Sequence, residues 1–385
     1  MNEELPTSIR RAWPSVALVF FVGLAGCSTA GPGASSQPAD QPELRVDVKW
    51  RLDLASDRLW ELNPRELGEP VLSPGGDMAV GTSHGWVYRL QPDSGDMRWE
   101  TPVDGSVDAG VRLASGMAFV GTENAEVVAL DWRDGSERWR FETRDSVEMK
   151  PTFEGGRLFV TDSADRLYAL DATSGELIWE TSRDRPEFFT VKGGGQPLVS
   201  DGVVYTGFSD GMLMAFHVDS GDEIWSVNLG DDSGEFGDID LPLIEWNDQL
   251  IAISHSGGVY ALEPDSGAVI WHEEISDIAG MDFYGGWLFV ATATGEAIAI
   301  DLREGDPYWS FELPENASAM DISLAGGHVA VTAQNGPMYW LRVTNGGLVS
   351  KWAPGRGFQR APIFDEQYGY AMSDQGYLYG FTIAY

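Results

Sequence analysis

The chain has 385 residues, 43% hydrophobic and 11% aromatic, with a formal net charge of −35. A field of that sign repels nucleic acid and anionic lipid surfaces, which excludes functions resting on a basic patch. Lysine occurs only at Lys49, Lys150, Lys192 and Lys351, and an acid-rich, lysine-poor surface suggests a saline setting in which screening shortens electrostatic reach.

The first element in chain order is a targeting segment. Arg10 and Arg11 precede an apolar stretch from Ala12 to Leu24, too short for a comfortable bilayer span. It ends in Leu24-Ala25-Gly26-Cys27, which resembles a bacterial lipobox with Cys27, the only cysteine, as the lipidated residue. The expected organisation is a signal peptide over 1–26, a lipidated cysteine and flexible tether over 27–44, and one folded domain over 45–385. Ser28 rather than Asp after the cysteine favours the outer membrane, facing the periplasm. Acyl chains, at about 0.8 kcal/mol per buried methylene, would hold the protein there.

The folded region is repetitive. Six times a turn glycine precedes a tryptophan by four residues: Gly95/Trp99, Gly135/Trp139, Gly175/Trp179, Gly221/Trp225, Gly267/Trp271 and Gly305/Trp309. A period near forty with several β-rich runs per unit predicts a propeller. In the first unit Val71–Ser73, Met78–Thr82, Trp86–Leu90 and Met97–Thr101 read as strands, separated by Pro74-Gly75-Gly76-Asp77, Ser83-His84-Gly85 and Asp93-Ser94-Gly95. Glycine tolerates positive φ at such corners, and aspartate bonds its own backbone there. Four strands make one blade, and the tryptophan is expected to wedge it against its neighbour.

The ends decide the blade count. In the seventh unit Tyr339-Trp340-Leu341 is the third strand, Gly346-Gly347 the turn, and Trp352 comes one residue late. The eighth stops after Gly376–Ile383, and Val48-Lys49-Trp50-Arg51-Leu52 matches the missing fourth strand. The expected fold is therefore all-β, an eight-bladed β-propeller of four-stranded antiparallel blades, the last closed by the N-terminal strand. If Trp50 does not play that part, seven blades remain. Closure removes two edges that invite aggregation.

No catalytic constellation emerges. His84, His217, His255, His272 and His328 show no metal-ligand spacing, and no phosphate-binding Gly-rich loop between strand and helix is present. Ala129-Leu130-Asp131…Gly135…Trp139 and Ala169-Leu170-Asp171…Gly175…Trp179 resemble the tryptophan-docking repeat of the pyrroloquinoline-quinone (PQQ) dehydrogenases. The adjacent cysteine pair those enzymes commonly place against PQQ is missing here, and no calcium-binding set can be assembled, so no cofactor is expected and the chain is read as a non-enzyme.

A more specific resemblance is to the BamB family, the lipoproteins of the outer-membrane β-barrel assembly machinery, and it covers nearly the whole chain after Cys27. It rests on Tyr339-Trp340, on Gly357-Phe358-Gln359 with Pro362, and on two loops: Phe189-Thr190-Val191-Lys192-Gly193 with Pro197, and Asp238-Ile239-Asp240 with Pro242. The resemblance implies that these loops dock a POTRA domain of BamA, with Phe189 and Val191 as apolar anchors, Lys192 as the cation and Asp238 and Asp240 as acidic partners. Lys192 stands where the family has arginine and lacks its planar fork, and the second loop is a residue shorter before its proline. The alternative reading of the charged positions is solvated loop residues. Unfolded outer-membrane proteins are expected clients, with strand addition at blade edges one way to hold them. The competing functions are a periplasmic quinoprotein dehydrogenase binding PQQ and Ca²⁺, or a lipoprotein of another envelope complex.

Overall fold

The computed structural model describes residues 44–55, 66–182, 193–230, 238–314, 317–355, 357–365 and 368–384. The first repeat folds as its turns dictate. Strands β2 (Val71–Leu72), β3 (Met78–Gly81), β4 (Trp86–Leu90) and β5 (Met97–Pro102) pair as antiparallel neighbours in chain order. The pattern recurs as blades 2 to 7, whose outermost strands are β9 (Glu137–Glu142), β13 (Leu177–Ser182), β17 (Glu223–Asn228), β21 (Val269–Glu273), β25 (Asp306–Glu312) and β29 (Leu348–Trp352).

The eighth blade is composite, as expected. Its sheet runs from β1 (Arg45–Asp53) through β32 (Tyr377–Ala384) and β31 (Tyr368–Met372) to β30 (Ile363–Asp365). The two ends of the chain are zipped from Arg45 opposite Ala384 to Asp53 opposite Tyr377. The fold is an eight-bladed β-propeller.

Its hydrophobic core is not inside any blade but between blades. Among the described residues there are eight buried apolar clusters, one at each blade boundary. Phe119, Val127, Ala129 and Trp139 of blade 2, for example, pack on Leu158, Val160, Tyr168 and Leu170 of blade 3. A single blade exposes both faces of its sheet, so stacking neighbours is what buries them.

The recurring tryptophan and glycine belong to one joint across that boundary. The indole of Trp139 lies against Gly175 of the next blade, where an added Cβ would come within 2.6 Å of the ring. Its Nε1–H donates to the Ala172 carbonyl at 3.0 Å. Trp99, Trp179, Trp225 and Trp309 repeat both halves of the joint, donating to Trp132, Val218, Pro264 and Val343. Trp50 does the same from the N-terminal strand, against Gly95 and the Pro92 carbonyl at 2.7 Å. Glycine is required twice over: its φ is positive, and a side chain would occupy the space of the ring.

The seventh blade departs from the expected register. In blades 2 to 6 an alanine faces the tryptophan across the ladder, as Ala299 faces Trp309. In blade 7 Trp340 takes the small position and Ser350 the large one, so bulk is exchanged across the pair. Trp352 then falls two residues beyond the usual place, not one, and packs on Phe358 and Phe381 with ring centroids 5.3 and 4.9 Å away. The composite eighth blade has no outer turn glycine for it to meet.

Gly116 and Gly175 share φ 75, but nothing lies within 4 Å of a Cβ at Gly116. Gly116→Ala should cost about 1–2 kcal/mol from left-handed backbone alone. Gly175→Ala should cost about 1–3 kcal/mol more from overpacking, read as the difference in guanidinium unfolding midpoints.

Candidate functional site: the crossovers around blade 4

Each outermost strand returns to the inner strand of the next blade by a crossover on one face of the ring. Most are short, such as 274–277 and 313–318; 54–70, 183–197 and 229–243 are long, and the last two flank blade 4. These two enter β14 (Leu198–Ser200) and β18 (Ile244–Trp246) respectively. Phe189, Val191 and Lys192 lie outside the described residues, as does Cys27; Asp238 and Asp240 lie within them.

The described parts of the two crossovers meet. A Cβ on Gly195 would stand 2.4 Å from the Ile239 carbonyl oxygen, so the second crossover passes directly over the first. Gly195 N–H donates to the Gly207 carbonyl at 2.9 Å, and Thr161 Oγ1 donates to the Gly195 carbonyl at 2.8 Å. Ile239 is fully buried, packed with Tyr205, Trp225, Leu229 and Leu243. The platform beneath is braced by carboxylates. Buried Asp165 accepts from Ser209 N–H at 3.1 Å and from the Ser209 hydroxyl. Asp162 accepts from the amides of Arg144 and Asp145 at 3.1 and 3.2 Å and from the Tyr168 hydroxyl at 2.8 Å, and burial pushes its pKa up.

The two acidic candidates differ from one another. Asp238 is only 2% exposed, whereas Asp240 is half-buried. The reason is the repeat. The Asp238 carbonyl accepts from His255 N–H at 2.9 Å, as the carbonyls of Ser106, Ser146, Asp277 and Ser318 accept from Glu123, Ser163, Ala293 and Gln334 at the equivalent turns. Asp238 thus occupies a joint present in other blades, and of the two aspartates Asp240 is the less buried. Sequence reasoning missed this because the joint uses a main-chain oxygen, which leaves the residue type free.

At the ring axis, Lys150 reaches Glu69 at 3.0 Å, spanning from blade 3 to blade 1 over Gly110. Asp282 accepts from Leu324 N–H of the next inner strand at 2.6 Å, and Asp321 accepts from Ala361 N–H at 2.9 Å. Among the described residues no group of His, Cys, Asp or Glu converges as metal ligands. The axial carboxylates are committed to backbone amides and an ion pair, so these residues do not fit a calcium-bound quinone. A cavity of about 540 Å³ on the opposite face is lined by Met117, Asp131, Trp132, Arg133 and Arg138, and its one carboxylate is held by both arginines.

Residues 83–311 match the family described as outer membrane protein assembly factor BamB. The chain belongs to the BamB family. Members similar to it include the outer membrane protein assembly factors BamB of Pseudomonas aeruginosa, 26% identical over 200 residues, and of Escherichia coli K12, 22% over 199. Those matches take in 50% of this chain and 53% and 51% of the relatives, so the chain spans about half the length of the curated BamB proteins it matches. In fold it is similar to BamB from Moraxella catarrhalis, with a TM-score of 0.75 at 20% identity over 88% of this chain and 100% of that one. A europium-containing methanol dehydrogenase reaches 0.72 at 14% identity over 88% and 93%. The propeller is therefore common to BamB and to redox enzymes, and the fold alone does not choose between them.

Burial raises the pKa of Asp321 to about 6. The folded state then binds this proton more tightly than the unfolded chain does, so the group adds stability at acid pH and the contribution is lost as pH rises through about 6. Thermal midpoints should rise from pH 7.5 to 5, and Asp321→Asn should flatten that rise; equal slopes in both proteins would refute the assignment.

Proposed function

We propose that the chain is a non-enzymatic scaffold of the outer-membrane assembly machinery that docks the periplasmic POTRA region of BamA through the two crossovers around blade 4. The observation that carries this reading is the contact of Gly195 with Ile239, which brings the described parts of the two loops that the family resemblance singled out side by side. Phe189 and Val191 are assigned as apolar anchors, Lys192 as the cation and Asp240, the less buried of the two aspartates, as the acidic partner. Small hot spots of this make-up, apolar residues ringed by charge, dominate the affinity of many interfaces. Asp238 is assigned a structural part in holding the loop. Unfolded outer-membrane proteins are the proposed clients.

Cys27 is assigned as the lipidated residue, placing the ring on the periplasmic face of the outer membrane. Cys27→Ser should move the protein from the membrane to the soluble fraction on cell fractionation; retention in the membrane would count against the anchor.

The docking site is tested by capture of the purified chain on the host's BamA periplasmic region. Lys192→Glu and Asp240→Arg should each weaken capture at least about tenfold without lowering the unfolding midpoint. Asp238→Asn should leave capture intact once folded. Capture untouched by the first two changes would refute these residues, and stoichiometric PQQ with Ca²⁺ in the purified protein would refute the scaffold reading.

A further inference from the structure

Every outermost strand carries a bulge immediately before its tryptophan position. The ladder steps from Ala169 opposite Trp179 to Leu170 opposite Leu177, leaving Ile178 as the extra residue. The same step occurs in all eight blades, and the bulged residue in ring order from blade 8 is Lys49, Arg98, Arg138, Ile178, Ile224, Ile270, Tyr308 and Val349. A bulge kinks an edge and spoils its ladder, a recognised protection against strand addition. The rim is thus not suited to capture by backbone pairing. It does push one side chain per blade outward.

On blades 8, 1 and 2 that side chain is a lysine or arginine, the expected choice for an exposed edge. On blades 3 to 7 it is apolar, with Val349 of blade 7 half-buried against the core and those of blades 3 to 6 exposed. Ile178, Ile224 and Ile270 are 42%, 38% and 47% exposed and Tyr308 62%, with Leu177 and Val269 exposed beside them. Lone surface apolar residues need no explanation, but the same ring position on four consecutive blades is an arc. The bulge stands near the start of each outermost strand, so the arc lies toward the face opposite the crossovers.

The charge around the arc selects its occupant. The outer hairpins of blades 4 and 5 contain no lysine or arginine, and that of blade 3 has only Arg166, paired with Glu180 at 3.2 Å, while Glu176, Asp222, Glu223, Glu263 and Asp265 are exposed around the three isoleucines. We infer that the arc of blades 3 to 6 is a second docking surface, bound through side chains by an unfolded polypeptide segment that combines apolar residues with lysine or arginine. An anionic bilayer is repelled by the same carboxylates. The source of the segment, an unfolded outer-membrane protein, rests on the assembly-factor reading; the chemistry of the surface does not.

The probe is a short peptide of alternating leucine and lysine, with a leucine–glutamate peptide as control, titrated against the full chain in high salt to suppress attraction by net charge. The comparison is Ile178→Thr/Ile224→Thr/Ile270→Thr, which keeps β-branching and charge. The leucine–lysine peptide should bind the native chain at least about tenfold more tightly than the triple variant, and the leucine–glutamate peptide should not bind. Equal binding to native chain and variant would overturn the proposal. So would self-association of the native chain that the variant loses, which would make the occupant a second copy, or variant-sensitive binding to phosphatidylcholine vesicles, which would make it lipid. Capture on BamA's periplasmic region should be the same for native chain and variant. Failure of the peptide with capture intact sinks this surface alone, while failure of capture with the peptide bound sinks the assembly-factor reading and leaves the surface standing.

Discussion

The propeller depends on a face-to-face joint between an indole and a glycine in the next blade. One side chain meets two demands there: its ring buries apolar area at the blade boundary, and its N–H reaches a main-chain carbonyl in the adjoining turn. A tryptophan is the residue whose flat surface is wide enough for the first and whose polar edge allows the second. Because the partner is backbone, the joint constrains the angle between blades and tolerates little change on either side. Removing one joint loosens two blades, and their core clusters are shared with the blades beyond.

Nearer the axis the stitching is polar. Asp282 accepts from an amide of the following inner strand and Asp321 from one just before it, Arg112 Nε donates to the Pro151 carbonyl at 2.8 Å, and Ser323 Oγ donates to the Pro362 carbonyl at 2.8 Å. Inner strands are edge strands, and side chains from the preceding blade satisfy some of the groups a sheet neighbour would have taken. The axis is therefore occupied with holding the ring together. The proposed docking surfaces accordingly lie elsewhere, on the longer crossovers and the rim.

The repeat was legible because it uses residue types that little else can replace. Glycine at a positive-φ corner and tryptophan four residues on mark each joint, and Lys49-Trp50-Arg51 was enough to place the strand that closes the ring. Trp352 was misplaced by one residue because Trp340 and Ser350 exchange bulk across the ladder, and a linear reading sees only a shifted tryptophan. Asp238 read as an acidic docking residue, since nothing in its side chain announces that its carbonyl joins two blades. The apolar arc was visible in the dipeptides Ile178-Trp179, Ile224-Trp225 and Ile270-Trp271. It went unread because only the ladder shows that the first residue of each is pushed outward by a bulge.

The strand that completes blade 8 is also the first strand of the fold. Tension entering through the residues before Leu44 reaches β1 before any other element, and β1 is held by its pairing with β32 and by Trp50 against Gly95. Blade 4, between two of the long crossovers, lies half a turn around the ring from that seam. A pull from the N-terminal side would be felt first as shear along the β1–β32 zipper, and would open the circle at its one non-covalent seam while the crossover surface kept its shape.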